Sequence, residues 1–523
     1  MKPGIAMFRC FALAILTVLA GATAVLADPA AGPETAKLFA EHCAACHGED
    51  RLGGTGPALI PETLGRKGAE TVVATITEGR PQTQMAAFGE QLAAEQIAAL
   101  AAYVQTPLPH VPEWGVAEIT ASRIVNADYV AAAAPTYDAD PLNLFIVVET
   151  GDHHATILDG DRFKPLTRFA TRYALHGGPK FTPDGRFVFF MSRDGWVTKY
   201  DLWSLQIVAE VRGGINSRNI AISADGRHIA VANYLPHSLV ILSADDLSVE
   251  KIIDIRDGDG RSSRVSAVYQ APPRQSFIVA LKDIPEVWEV FYGDDPPFQG
   301  FVHDYRTEGP PKQTEPFPVR RIGLDDYLDD FFFDSSYEYL IGASRNAKNG
   351  QVVDLVIGRK IADIDIAGLP HLGSGISWTW EGRPVMATPH LKSARVSVID
   401  MKDWSVVKTL ETLGPGFFMR SHANSPYAWT DVFFGPNKDV LHVIDKATLE
   451  IVKTLRPAPG KTAAHVEFDR DGSHAIISVW EDDGAIVIYD SKTLEEVKRL
   501  AMRKPSGKYN VWNKITFEAG TSH

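Results

Sequence analysis

The chain has 523 residues, 45% of them hydrophobic, and a formal charge of −13 at pH 7. That length supports more than one domain, and the acidic balance excludes a nucleic-acid partner, because phosphate binding needs clustered Lys and Arg. Of three cysteines, Cys10 falls in an N-terminal leader and Cys43 and Cys46 share one motif, so none is left for a disulfide.

Residues 1–27 read as a signal peptide: Lys2 and Arg9, an apolar run from Cys10 to Leu19, then small residues up to Val25-Leu26-Ala27. The run is too short for a transmembrane helix, so the mature protein is expected in the periplasm, not membrane-spanning. A retained anchor is the alternative.

A helix predicted over 35–42 leads into Cys43-Ala44-Ala45-Cys46-His47. Cys-x-x-Cys-His is the attachment pattern of haem c, in which two thiols add across the vinyl groups and the His ligates iron. Zinc would need a second ligand pair that no cysteine supplies, and a redox dithiol would want a βαβ setting. Met85, on a loop after Gly79-Arg80-Pro81 and before a helix predicted over 93–104, is the expected sixth ligand. A thioether there raises the reduction potential. A core Met, or His42 as ligand, is the rival reading. This small all-α cytochrome c domain is assigned to 28–111, and the proline-rich stretch at its end opens a linker over 112–141.

From Leu142 the texture changes to short Val, Ile, Phe and Tyr runs divided by Asp-Gly turns, in units of roughly 35 to 45 residues. Copies begin at Phe181, Ile222 and Phe468, with related units near Leu142, Val265, Asp330, Gly375 and Ala423. Eight such units predict an all-β eight-bladed propeller over 142–523. A strand-like segment over 509–515 should pair with the first blade and close the ring, removing open sheet edges.

A cytochrome c domain before an eight-bladed propeller resembles the cytochrome cd1 nitrite reductases. The likeness spans nearly all of the mature chain and is carried by Asn143-Leu144-Phe145, Arg193-Asp194-Gly195, Asp201-Leu202-Trp203, Pro370-His371 and Gly507-Lys508-Tyr509-Asn510-Val511. It implies a non-covalent haem d1 site, with His176 as the proximal iron ligand. Arg193 and Arg218 match its carboxylate partners, and Arg420 is a weaker third choice; each is equally readable as a solvated turn residue. The reductases set two histidines above the iron. His371 matches one, but Asp329 stands where the other belongs. Tyr509 replaces their usual Phe, and Ala463-Ala464-His465-Val466 opens the preceding blade. This pattern is similar to the NirN-type dihydro-haem d1 dehydrogenases, paralogues of the reductases. The implied reaction oxidises a propionate of dihydro-haem d1 to the acrylate of haem d1, with electrons leaving singly through haem c to a soluble acceptor.

No flavin or nicotinamide fingerprint is present. The two protons need bases, and His371, His465 and Tyr509 are the candidates. His titrates near neutrality, whereas Tyr, near ~10, would need a cationic or imidazole neighbour. Most of the 16 histidines must be ordinary turn or surface residues. Two other readings stay open: a nitrite reductase with an altered distal pocket, opposed by Asp329, and a haem d1 carrier without chemistry, opposed by the intact haem c motif. The expected partner is the cd1 nitrite reductase or another protein of d1 biosynthesis.

Overall fold

The computed structural model describes residues 32–54, 56–64, 68–80, 85–110, 112–296, 315–344 and 349–516. The leader at 1–27 lies outside the described residues, as does the side chain of Asp329.

Five helices come first: α1 (Pro33–His42), α2 (Ala44–His47), α3 (Pro61–Leu64), α4 (Ala69–Glu78) and α5 (Ala94–Val104). Proline opens α1, where a missing N–H costs nothing. The Ala93 N–H ahead of α5 is bonded by the Gln96 side chain at 2.9 Å. The apolar helix faces meet around Phe39, Val72, Ile97, Leu100 and Val104, and Cys43 and Ala44 pack against this core. The next segment is not a free spacer. It forms α6 (Val116–Ser122), and Ile124–Val125 adds a fifth strand to the second blade, Ile124 opposite Glu210.

Eight antiparallel sheets follow as blades. Their innermost strands, in ring order, are Pro505–Asn510, Lys180–Phe181, Asn216–Ile222, Val265–Ala271, Leu328–Phe333, Ile376–Trp380, Met419–Ser421 and Ala463–Phe468. The first comes from the chain end and pairs with Leu144–Glu149, Tyr509 opposite Ile146, which closes the ring as expected. The terminal strand lies upstream of the 509–515 segment that the sequence pattern suggested, and only Tyr509 and Asn510 of that segment belong to it. It stops at Asn510, whose side-chain oxygen accepts the Asn513 N–H at 3.3 Å and caps α7 (Val511–Thr516). The recurring turn glycines Gly185, Gly226 and Gly472 all have positive φ, which explains why this residue repeats with the blades. Among the described residues no helix is long and apolar enough to cross a membrane.

Burial between blades lowers the pKa of His390 and of His442 from 6.5 to about 4. The neutral rings are favoured by folding, so their contribution to stability is complete above pH 6.5 and is lost as pH falls toward 4. The melting temperature should fall across that window, and the non-titrating His390→Gln should fall less steeply. Equal slopes would remove His390 as a cause.

Candidate active site

The haem c motif sits at the edge of the helical core. Cys43 precedes α2, Cys46 lies within it, and His47 ends it, 8% exposed. The His47 Nδ1–H donates to the Pro57 carbonyl at 2.8 Å, which fixes the tautomer and leaves the Nε2 lone pair for a metal. Gly56 is required beside it, since a Cβ there would lie 2.7 Å from the imidazole. Burial pushes the Cys43 thiol up to about 11, the reverse of what a redox dithiol needs. These residues fit haem c. Met85 is on a loop, with its carbonyl bonded by the Arg80 N–H at 3.0 Å. That loop ends at Phe88, whose ring meets His42 at 6.0 Å and packs on the cluster holding Cys43.

At one end of the propeller lies a cavity of about 380 Å³, within the range of cofactor pockets. Nearly every inner strand supplies a polar group to it: Tyr509, Lys180, Arg218, Tyr269, Asp330, Arg420 and His465. His176 and His371 enter from loops just before the second and sixth blades, four blades apart and so across the axis from one another. Three of these residues sit at breaks in strand register: Arg218 between Ser217 and Asn219, Asp330 before Phe331, and His465 after Ala464. Such bulges turn a side chain out of the sheet alternation. His465 also has φ +53°, a strained conformation for a side chain of this kind, and such strain collects at functional sites.

The His176 Nδ1–H donates to the Arg218 carbonyl at 2.7 Å. Its Nε2 accepts from Arg193 Nη2 at 3.0 Å and from Arg218 Nη1 at 2.9 Å. Burial, then these two cations, hold its pKa well below 6.5, so the ring is neutral with an Nε2 lone pair available to iron. Arg193 thus lies against His176 and outside the cavity wall, while Arg218 lines it. The wall also carries Arg420, 4% exposed, whose Nε and Nη1 have no hydrogen-bond partner among the described residues. Glu467 stands 3.6 Å away. Burial and then Arg420 lower Lys180 to about 8, and the same causes lower Lys514. Crowded buried cations, with only Glu467 among the described residues paired to the Arg420 guanidinium, are what a ligand bearing several carboxylates would neutralise.

His371 donates through Nδ1 to the Phe417 carbonyl at 2.6 Å, and its Nε2 is 3.8 Å from Asp330. Asp330 accepts from the Tyr269 hydroxyl at 2.9 Å. A Cβ on Gly373 would meet that carboxylate, so only glycine fits there. The His465 ring packs edge-on against Tyr509 at 5.0 Å and against Phe418 at 4.7 Å. Burial, followed by Lys508, lowers its pKa well below 6.5. Burial raises Tyr509 to about 12, so its hydroxyl stays protonated. Gly178 and Gly507 form the slot for its ring; a Cβ on Gly507 would lie 2.5 Å from the hydroxyl. Asp431 ties this side together: its carboxylate accepts the N–H groups of Phe417 at 2.7 Å, Phe418 at 3.0 Å and His465 at 3.3 Å.

The structure therefore brings His176, Arg218, His371, His465 and Tyr509 to one cavity and places Arg193 behind His176. Sequence reasoning missed Lys180, Lys514, Tyr269, Asp330 and Asp431. A lysine inside Pro179-Lys180-Phe181, at the start of an apolar strand, was the one available signal.

A helical Cys-x-x-Cys-His unit joined to an eight-bladed propeller with a cationic, histidine-bearing cavity defines a two-domain cytochrome with a second, non-covalent ligand site. Residues 139–514 match the family described as Cytochrome D1 heme domain, and 30–104 match one described as Cytochrome C oxidase, cbb3-type, subunit III. The chain belongs to the cytochrome D1 heme domain family. It is 54% identical to the dihydro-heme d1 dehydrogenase of Pseudomonas aeruginosa over 93% of this chain and 95% of that one. Identity to the nitrite reductase of Stutzerimonas stutzeri is 28% over 91% of this chain and 92% of that one. A solved structure of dihydro-heme d1 dehydrogenase NirN in complex with DHE aligns with a TM-score of 0.85 at 54% identity, covering 92% of this chain and 99% of that one.

Proposed function

We infer that this chain is an oxidoreductase that completes haem d1 by dehydrogenating a propionate of dihydro-haem d1 to an acrylate. The observation that carries the reading is His465 packed against Tyr509 in a cavity that Arg218, Arg420, Lys180 and Lys514 also line. The His176 Nε2 ligates the iron of the bound tetrapyrrole. With the ring on iron, Arg218 would be released from Nε2 toward a substrate carboxylate, beside Arg420, Lys180 and Lys514, while Arg193 would stay behind His176. His465 takes a proton from the propionate carbons, and the Tyr509 hydroxyl donates to its carboxylate and orients it. His371, held by Phe417 and facing Asp330, borders the other side of the cavity and can receive the second proton. Haem c, when bound, supplies a one-electron acceptor.

Incubating purified protein anaerobically with dihydro-haem d1 and ferricyanide should convert the pigment spectrum to that of haem d1. Binding without conversion would leave only the carrier reading. Nitrite turnover with the same donor should be far below that of an authentic cd1 reductase, and comparable turnover would overturn the dehydrogenase reading.

Cys43→Ser and Cys46→Ser should each prevent stable haem c attachment, read as loss of a haem that resists acid–acetone extraction. Met85→Ala should abolish the far-red charge-transfer band of thioether-ligated ferric haem and lower the potential. A band unchanged in the variant would move the ligand elsewhere. We further propose that the protein works in the periplasm within denitrification, behind a leader at 1–27, with domain limits at 28–111, 112–141 and 142–523. Its product would pass to the cd1 nitrite reductase.

A further inference from the structure

Arg212 joins the two halves of the molecule. It ends the strand Gln206–Arg212 of the second blade and is 4% exposed. The Trp114 indole N–H donates to its carbonyl at 2.7 Å, and its guanidinium lies 4.7 Å over the Trp114 ring. One nitrogen, Nη2, donates to the Leu52 carbonyl in the loop after His47. Another, Nε, donates to the Asp194 carbonyl at 2.8 Å. Ala58 and Ile60 from the cytochrome side meet Ile215 and Leu235 from the propeller in one buried apolar cluster, against which Leu52 and Trp114, both partners of Arg212, pack.

The bonds continue on both sides. The residue after Leu52, Gly53, donates its N–H to the His47 carbonyl at 2.8 Å. The residue before Asp194, Arg193, accepts the Ser217 N–H at 3.1 Å. The next carbonyl along, that of Arg218, accepts the Nδ1–H of His176 at 2.7 Å. A continuous line of covalent and hydrogen bonds therefore runs from the peptide of His47 to the imidazole of His176, and it crosses the joint through Arg212.

We propose that Arg212 is the bridge by which electrons released in the propeller reach the cytochrome domain, an inference that rests on the dehydrogenation proposed above. Electron tunnelling weakens steeply across gaps not spanned by bonded atoms. A guanidinium bonded on both sides therefore couples the halves better than two packed apolar surfaces. Each CH2–CH2 to CH=CH conversion releases two protons, taken by side chains of the cavity, and two electrons. The electrons cross one at a time, each reducing one ferric haem c to ferrous, and a one-electron acceptor of the ferricyanide class reoxidises it twice per product. Arg212 touches no substrate; it is a positioning residue. Lysine ends in a single nitrogen on a flexible stem and lacks the two separate, rigidly spaced nitrogens, Nε and Nη2, with which the guanidinium spans the two carbonyls.

The test uses the holoprotein, mixed anaerobically with one equivalent of dihydro-haem d1 while haem c absorbance is followed. Arg212→Lys and Arg212→Gln should keep the haem c midpoint potential, reduction by dithionite, and pigment affinity. The rate of haem c reduction by bound substrate should fall severalfold, because a hydrogen-bonded step becomes a through-space gap. A merely structural clamp would lower the melting temperature and leave that rate alone, and a wild-type rate in both variants overturns the bridge. If the wild type itself shows no haem c reduction, the dehydrogenase reading fails instead. Should the Arg212 variants not fold, Gly53→Ala attacks the same link, since at φ +93° its Cβ would lie 3.0 Å from Arg212 Nη2; it would also lie 2.9 Å from the Ala58 backbone N, so an unchanged haem c midpoint potential is the control that the haem loop is intact. The same slowing is expected, and an unchanged rate overturns the proposal.

Discussion

His465→Gln should bind dihydro-haem d1, keep haem c reducible by dithionite, and lose dehydrogenation by about 10²- to 10⁴-fold, the usual contribution of a general base. Glutamine preserves volume and hydrogen bonding, so the loss reports the missing base. The backbone need not move, because it is held independently of the ring. The Asp431 carboxylate accepts the residue's N–H, and the Lys508 ammonium donates to its carbonyl. The pH dependence carries a sign. Burial lowers the His465 pKa below 6.5, so the active neutral form dominates at neutrality. The kcat/KM of the wild type should therefore be flat near pH 7 and fall only as pH drops through that lowered pKa. A variant with wild-type kcat would exclude His465 as the base.

Tyr509→Phe should fold as well as the wild type and lose dehydrogenation on the order of 10²-fold. Among the described residues its hydroxyl has no protein hydrogen-bond partner, so removing it breaks no internal bond. The ring itself stays in the slot between Gly178 and Gly507. The melting temperature should thus hold while the rate falls, and that combination separates an orienting hydroxyl from one that merely supports the closing strand. Because burial raises the hydroxyl pKa to about 12, the residue acts as a donor across the physiological range and adds no limb of its own near neutrality. An unchanged rate would remove Tyr509 from the mechanism.

The parts of this protein that follow from local spacing could be read from the chain alone. The attachment pattern of haem c is legible in five consecutive residues, Cys43 to His47, because two thioethers and one ligand must reach a single macrocycle. The propeller shows itself because each blade repeats the same short strands and the same positive-φ glycine turn. The helix after Asn510 escaped this reading, since a β-rich period favours another strand and only the Asn510 cap breaks it. The site was legible only in part. His176, His371, His465 and Tyr509 are nominated by resemblance, but nothing in the chain says that Arg420, Lys180 and Lys514 are buried together. In sequence they look like the solvated charges of any surface. Asp431 looks like a strand-end acid, yet it fixes Phe417, Phe418 and His465 together. Closing the ring decided these matters, because it desolvates inner-strand charges from several blades and brings residues hundreds apart within contact. Spacing and period are properties of the chain, whereas desolvation and long-range contact exist only once it is folded.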